Sequence, residues 1–339
     1  MTVSSISDYQ RNMKPLAMLA AVTVACAGIV ADAGAQTKPA DAGYPAKPLR
    51  LIVAVQPGGN LDLMGRAAAQ KIGEGLGRPM IVENRPGANT VIGVEHVAKS
   101  APDGYTFLMV APSFLVTPVM MKNPPFDPVR DFAGVSLIAT LPQMLVVHPS
   151  VPAKNVRELI ALAKSLPDDL ICVTSGNGSG SHLAMERFKR MAGVRLMRVA
   201  YNGDAQANVQ LLGGQVPMKF DNLSTSLPHV KTGRLRALGI TTPKRSELLP
   251  NVPAIAETLP GYEASIFNGM VAPAGTPRDI LHRVQGEIRK FAQAPDSRAR
   301  FAQQGVELQE STPDQFTAFI QAEHVRMITL VKEAGIAPE

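Results

Sequence analysis

The stretch that decides the fold is LIVAVQPGGNLDLMG, residues 51–65. Its first five residues form an unbroken apolar run that is too short for a typical helix and does not alternate, as in a strand buried on both faces of a parallel sheet. Pro57 cannot continue a ladder, and the two glycines after it allow backbone angles that other residues avoid. Asn60 or Asp62 can then cap a helix. We predict a strand, a glycine loop and a helix N-terminus.

This unit predicts a site for an anion. The first N–H groups of a helix have no partners within it, and the helix dipole places partial positive charge at the same end. Both point toward the carboxyl edge of the sheet, where ligands bind in open α/β sheets. A small acid is therefore the expected ligand.

Length and composition indicate a globular protein of two domains. The chain has 339 residues, of which 45% are apolar and 18% are charged, enough for a sizeable core. The net charge is +6 and its basic residues are dispersed, so nucleic acid is not an expected partner. Of the two cysteines, Cys26 lies in a segment expected to be removed, which leaves Cys172 and no intrachain disulfide.

The N-terminus predicts export. Residues 1–35 have basic residues before an apolar stretch and small residues before a cleavage point at Gln36, which is the pattern of a signal peptide. A second cleavage site at residues 31–33 and a lipid-modified Cys26 are alternatives. A retained membrane anchor is disfavoured because the apolar stretch is shorter than the ~20 residues that a span needs. We predict a periplasmic location.

The strand, glycine loop and helix pattern returns in the second half of the chain. A short apolar strand leads into SGNGSGS, residues 175–181, and a helix follows from His182. Extended segments at residues 135–147, broken at Pro142, and at 262–272 are predicted to cross between two α/β domains. Domain 1 is then discontinuous, comprising residues 44–145 plus 263–339, and domain 2 comprises residues 146–262. Two crossings allow hinged closure on a ligand.

The candidate ligand-binding residues come from loops of both halves. The first half contributes Gly58, Gly59, Asn60, Asp62, Asn89, Thr90 and Ser113. The second half contributes Ser175, Asn177, Ser179, His182, Asp221 and Asn222. Because one rigid domain could not present all of them, we expect ligand to close the two domains on each other.

Motifs for catalysis and cofactors are missing from the sequence. The glycines near Ser179 and Ser181 do not form a nucleophile elbow, the loop fails the dinucleotide fingerprint, and no Walker loop occurs. The six histidines are not at metal-ligand spacing. We predict no enzyme activity, no cofactor and no metal; a secreted hydrolase using Ser179 or Ser181, with His182 beside them, is the alternative.

Ordered motifs along nearly the whole mature chain resemble those of one family. They are YPAKP at 44–48, PGGNLD at 57–62, ENRPGA at 83–88, APDGYT at 101–106, GNGS at 176–179, LLGGQV at 211–216, FDN at 220–222, APAGTP at 272–277 and AGIAPE at 334–339. The chain is thereby identified as resembling the solute receptors of tripartite tricarboxylate transporters, also called Bug-type receptors.

The resemblance implies a type II periplasmic binding protein fold, an α/β architecture with hinge strands and the ligand cleft between its domains. It also implies a monomer that holds a di- or tricarboxylate, an aromatic acid or an acidic amino acid through backbone groups, waters and small polar side chains. Delivery to the membrane subunits of the transporter is the implied function, and an orphan sensor of a small acid is the alternative. Asn202 stands where the family usually has lysine, which means either one fewer anionic group on the ligand or a surface change.

Overall fold

The computed structural model describes residues 43–333. The predicted signal peptide, its alternative cleavage sites and Cys26 lie outside these residues, as does the last of the family motifs. Within the described part, no helix is both long enough and apolar enough to cross a membrane.

Strands and helices alternate along the chain as expected for an α/β protein. The strands are β1 Leu49–Val53, β2 Met80–Asn84, β3 Thr106–Val110, β4 Phe132–Val147, β5 Ile171–Thr174, β6 Met197–Ala200, β7 Met218–Asn222, β8 Arg236–Ile240, β9 Ser265–Pro273 and β10 Glu307–Leu308. The helices are α1 Asn60–Leu76, α2 Val91–Ala98, α3 Pro112–Val116, α4 Val156–Ser165, α5 Gly180–Ala192, α6 Asp204–Leu212, α7 Leu223–Lys231, α8 Arg278–Gln293, α9 Pro295–Ala302 and α10 Pro313–Glu333.

The strands form one continuous sheet with two lobes. Their order is β2-β1-β3-β9-β4-β7-β5-β6, with β8 and β10 also pairing with β4. In the first lobe β1 pairs in parallel with β2 and β3, and α1 to α3 and α8 to α10 belong to this lobe. In the second lobe β5 pairs in parallel with β6 and β7, and α4 to α7 belong to it. Strands β4 and β9 join the two lobes.

Strand β1 is buried on both faces, as its apolar run predicted. Leu51 and Val53 pack into one hydrophobic cluster with residues of α1 and α8. Ile52 packs into a different cluster with residues of α2 and α10. Alternate side chains of a strand point to opposite faces, so the sheet of the first lobe has a core on each side.

Pro142 does not break its strand, and that prediction was wrong. Strand β4 runs without interruption for 16 residues. Up to Pro142, which lies opposite Ser265, it pairs with β9. From Gln143, which lies opposite Asn222, it pairs with β7. A proline cannot donate to a ladder, and it is tolerated here because it occupies the position where the strand changes partners.

Candidate functional site: a cleft between two lobes

A cavity of about 90 Å³, the cleft cavity, lies between the lobes. This is several times the roughly 10–15 Å³ that a cavity needs to hold one water molecule. Residues of both lobes line it: Val55, Gln56, Gly59, Asn60, Leu61, Asn89, Thr90, Ala111, Pro112, Ser113, Gln143, Ser175, Asn177, Ser179, Gly180, Ser181, Gly203, Asp204, Asn222, Ile266 and Asn268. The space suits a small molecule.

A wider pocket of about 310 Å³ adjoins the cleft cavity. The two share the lining residues Val55, Gln56, Asn89, Thr90, Ser175, Asn177 and Gly203. Asn202 lines this outer pocket and not the cleft cavity. The position that departs from the family pattern therefore lies in the adjoining pocket and not in the cleft cavity.

The N-terminus of α1 forms the wall on the first-lobe side. Gly58 has a φ of 87°, a left-handed conformation that favours glycine. Gly59 is the N-cap residue with an ordinary φ of −84°, and no side chain caps the helix there. The prediction that Asn60 or Asp62 caps α1 was wrong. Uncapped N–H groups of the first turn, together with the helix dipole, favour an anion at this end.

Asp62 lies behind this wall and fixes the glycine loop. Its Oδ2 accepts hydrogen bonds from the Gly58 N–H at 3.0 Å and from Arg66, and its Oδ1 accepts one from Asn84 at 2.9 Å. Burial raises the pKa of Asp62, but these hydrogen bonds outweigh burial, so its pKa lies below the usual value. Asp62 is buried and does not line the cleft cavity.

A strained turn carries Asn89 and Thr90 to the cavity. Ala88, Asn89 and Thr90 have φ angles of 44°, 52° and 80°, a conformation that costs roughly 1–2 kcal/mol per residue for L-amino acids. The Asn89 Nδ2 group donates to the backbone oxygen of Asn177 at 2.8 Å, which links the lobes directly. The buried Thr90 Oγ1 has no partner among the described residues. Strain of this kind typically persists at functional sites.

The serine loop of the second lobe is held by its own hydroxyl groups. Ser179 Oγ donates to the Gly176 oxygen at 2.8 Å and accepts from the His182 N–H at 3.3 Å, so Ser179 caps α5. Ser181 Oγ accepts from the Ser175 N–H at 3.0 Å. Ser175, Asn177 and Ser179 line the cleft cavity.

His182 is buried beneath the serine loop and does not line the cleft cavity. Its Nδ1 accepts from the Gly178 N–H at 3.0 Å. Burial, followed by the charges of Arg198 and Lys189, lowers the pKa of His182 to about 3. The imidazole is neutral at pH 7 and acts as a structural acceptor. Within the described chain its ring makes no hydrogen bond to Ser179 or Ser181, as the hydrolase alternative would require.

A buried ion-pair cluster lies behind the second-lobe wall. The Lys219 Nζ atom is 3.0 Å from Asp204 Oδ1 and 2.6 Å from Asp221 Oδ1. Lys219 and Asp221 are fully buried, whereas the side chain of Asp204 is 23% exposed and lines the cleft cavity. Asn222 also lines the cavity and donates from Nδ2 to Asp204 Oδ2 at 3.2 Å.

The crossing strands contribute polar side chains that the loop motifs did not indicate. Asn268 on β9 accepts from Asn60 Nδ2 at 2.9 Å. Gln143 on β4 lies beside Gly180 and Ser181, and its amide bonds to both when the carboxamide oxygen faces the Ser181 N–H. Both side chains line the cleft cavity. For both Gln143 and Asn268, the sequence signal that could have indicated a site residue is a polar side chain within an otherwise apolar strand.

Nine of the thirteen predicted site residues line the cleft cavity: Gly59, Asn60, Asn89, Thr90, Ser113, Ser175, Asn177, Ser179 and Asn222. The other four, Gly58, Asp62, His182 and Asp221, do not. Asp204, Gln143 and Asn268 are lining residues that the sequence analysis missed. Contact with ligand by any of these residues stays a prediction. Among the described residues, no group of three or more His, Cys, Asp or Glu side chains could hold a metal ion.

Two lobes, two connecting strands and a polar cleft between them define a two-lobed solute-binding protein. The chain belongs to the tripartite tricarboxylate transporter receptor family, whose model matches residues 64–336. The predicted family is thereby confirmed.

Curated and solved relatives agree with this family. BugT of Bordetella pertussis is 36% identical over 327 residues, covering 96% of this chain and 98% of BugT. Rpa4515 of R. palustris, solved with adipate, is 33% identical with a TM-score of 0.84, covering 87% of this chain and all of that one. MatC of Rhodopseudomonas palustris, solved with malate, is 26% identical with a TM-score of 0.80, covering 85% of this chain and all of MatC. The predicted periplasmic binding protein fold is confirmed.

Proposed function

We propose that this protein is a non-catalytic periplasmic receptor that captures a small carboxylate between its lobes and delivers it to the membrane subunits of a tripartite tricarboxylate transporter. The observation that carries the proposal is the cleft cavity at the uncapped N-terminus of α1. N–H groups and the helix dipole favour negative charge at this wall.

The size of the cavity and the ligands of relatives support a small acid. A cavity of about 90 Å³ between the lobes suits a small acid. Rpa4515 was solved with adipate and MatC with malate, and both structures share the fold of this chain over most of its length. Membership of the receptor family supports delivery to a transporter and a periplasmic location.

A thermal-shift screen tests this proposal. The panel comprises dicarboxylates, hydroxy acids, aromatic acids and amino acids, with neutral sugars and amines as controls. A ligand at about 100 times its dissociation constant stabilises the protein by about 2.7 kcal/mol. An acid that binds should therefore raise the unfolding temperature measurably. The proposal fails if sugars or amines raise the unfolding temperature and no acid does. An orphan sensor would pass this screen, and uptake of the identified acid in cells that lack the receptor separates the two.

A further inference from the structure

The side chains of the second-lobe wall of the cleft cavity carry a net negative charge. Among the residues that the structure describes, Asp204 is the only charged residue that lines this cavity. Behind it, Lys219 is paired with both Asp204 and Asp221. Two carboxylates and one ammonium group have a formal charge of −1, so Lys219 does not neutralise the wall. A second carboxylate placed against this wall would meet like charge in a partly dry site.

Asp204 retains an unused acceptor position. Its Oδ1 accepts hydrogen bonds from Ser175 Oγ and Lys219 Nζ, and its Oδ2 accepts one from Asn222 Nδ2. An ionised carboxylate offers about four acceptor sites, so Oδ2 can accept one more donor.

Asn222 supplies a second acceptor beside it. The hydrogen bond to Asp204 orients the Asn222 side chain so that Nδ2 faces the carboxylate. The Oδ1 atom is then the end of the amide that does not face Asp204. Asn222 is 3% exposed, and its Oδ1 has no hydrogen-bond partner among the described residues. A buried acceptor without a partner costs roughly 1–3 kcal/mol, and a donor on the ligand would remove that cost.

We propose that the acid bound here also carries a protonated amine, which donates to Asp204 Oδ2 and Asn222 Oδ1 while the N-terminus of α1 holds the carboxylate. This inference rests on the proposed function and names its ligand class. An ammonium group supplies several donors and a positive charge, whereas a hydroxyl group supplies one donor and no charge. The charge of the wall therefore selects the amine.

The amine and the carboxylate of this ligand lie close together. A Cβ atom built on Gly59 would be 3.7 Å from the Cβ atom of Asp204, so the two walls approach each other directly. The N-terminus of α1 and Asp204 are therefore neighbours across the cleft. A ligand that contacts both fits best when its carboxylate and its amine are close together, as they are in an amino acid whose amine is on the carbon next to the carboxylate.

Lys219 is the positioning residue of this subsite. Burial opposes ionisation of Asp204, but the Lys219 charge and the hydrogen bonds from Ser175, Lys219 and Asn222 hold the pKa of Asp204 below its usual value. Burial likewise lowers the pKa of Lys219, but the charges of Asp204 and Asp221 outweigh burial and raise it. Asp204 therefore faces the cavity as a charged acceptor.

Calorimetric titration of three matched ligand series tests the inference. The series are alanine, lactate and propanoate; aspartate, malate and succinate; and glutamate, 2-hydroxyglutarate and glutarate. In each, an amine is replaced by hydroxyl and then by hydrogen. In the series that binds most tightly, we expect the amino acid to bind wild-type protein at least about tenfold more tightly than its two counterparts, a difference of about 1.4 kcal/mol.

Asp204→Asn is the diagnostic variant because it keeps the shape and leaves Lys219 paired with Asp221. The Asp204→Asn variant should reduce the preference for the amino acid by about tenfold or more. The control variant is Asp314→Asn, at an exposed ion pair with Arg278, and it should keep the wild-type preference. The inference is overturned if wild-type protein binds the amino acid no more tightly than its hydroxyl and hydrogen counterparts. It is also overturned if Asp204→Asn keeps the wild-type preference. If Asp204→Asn does not fold, the wild-type series alone decides.

The failure of each proposal has its own signature. If acids bind without preference for the amine, the inference fails and the carboxylate receptor stands. If no acid of the three series binds, the inference fails, and the wider thermal-shift panel decides separately whether the carboxylate receptor stands.

Discussion

Buried polar residues behind the cleft hold the loops that face it. Asp62 fixes the glycine loop through the Gly58 N–H, and His182 fixes the serine loop through the Gly178 N–H. Asp221 accepts from Lys219 and from the hydroxyl groups of Thr225 and Ser226. These side chains do not line the cavity, so their contribution is to the rigidity of the loops that do. Precise placement of loop N–H groups requires such support.

The low pKa of His182 predicts acid sensitivity. Its folded-state value of about 3 lies below the ordinary value of 6.5, so between these values the unfolded chain binds a proton that the folded protein does not. Stability is therefore lost as the pH falls below about 6.5, at about 1.4 kcal/mol per pH unit. Between pH 6.5 and 5, urea denaturation should show a loss of about 2 kcal/mol from this residue.

His182→Asn removes the titrating group and keeps an acceptor near the position of Nδ1. The free energy of unfolding of this variant should fall less than that of wild-type protein over the same pH interval. The matched control is His282→Asn, at an exposed position, which should fall as wild type does. Parallel pH profiles for His182→Asn and wild-type protein would show that His182 is not the source of the sensitivity.

At the scale of elements, the site consists of loops that follow parallel strands and open helices. The loop after β1 leads into α1, and the loop after β5 leads into α5. These are the carboxyl ends of parallel strands, where ligands bind in α/β sheets. Gly59, at the start of α1, is therefore expected to permit ligand binding because it has no side chain.

Gly59→Val should abolish binding of the acid found in the screen. The φ of Gly59 is ordinary, so the backbone tolerates valine, but Gly59 lines the cleft cavity and a Cβ atom there would already lie 3.7 Å from Asp204 Cβ, so the valine methyl groups would take up ligand space. Titration calorimetry should show at least about a hundredfold loss of affinity, about 2.7 kcal/mol. Gly286→Val in α8, where a Cβ atom meets no other group within 4 Å, should bind as wild type. Wild-type affinity for Gly59→Val would remove this loop from the site.

Local patterns predicted most elements because strands, glycine loops and helix caps depend on neighbouring residues. The strand, glycine loop and helix predicted for residues 51–65 correspond to β1 and the start of α1, and the predicted second glycine loop precedes α5. Ser113 was predicted to lie in a loop, but it belongs to the short helix α3. Tertiary packing, and not local sequence, decides whether such a short segment is helical. In this one, Phe114 is buried against Phe126 and Phe132.

The missed site residues depend on contacts between distant parts of the chain. Asp204 faces the cleft because Lys219, on a neighbouring strand, pairs with it. Asn268 reaches the cavity because β9 crosses between the lobes and its side chain meets Asn60, 208 positions away. No local pattern contains such pairings. A lysine between apolar residues of a buried strand does signal that a counter-charge lies nearby, and Lys219 was that signal.

At the scale of the whole molecule, two lobes with separate cores are joined by β4 and β9. One pair of hydrophobic clusters belongs to the first lobe and another pair to the second. The hydrogen bond from Asn89 to Asn177 connects them across the cleft. The predicted boundaries, residues 44–145 plus 263–339 and residues 146–262, stay a prediction. A ligand that contacts both lobes must favour the arrangement in which they are close.

A distance measured across the cleft shows whether the lobes close when an acid binds between them. Spin labels are placed on cysteines introduced at Ile81 in the first lobe and Val209 in the second, both exposed positions. Cys26 is replaced by serine. Cys172 is buried, and burial raises the pKa of its thiol to about 12, so it does not compete for label.

Double electron–electron resonance is recorded without ligand and with the acid at saturation. The control pair is Ile81 and Val325, both exposed and both in the first lobe. With ligand, we expect the Ile81–Val209 distance distribution to become shorter and narrower, while the control distribution does not change. An unchanged Ile81–Val209 distribution, with calorimetry showing full occupancy, would contradict this expectation.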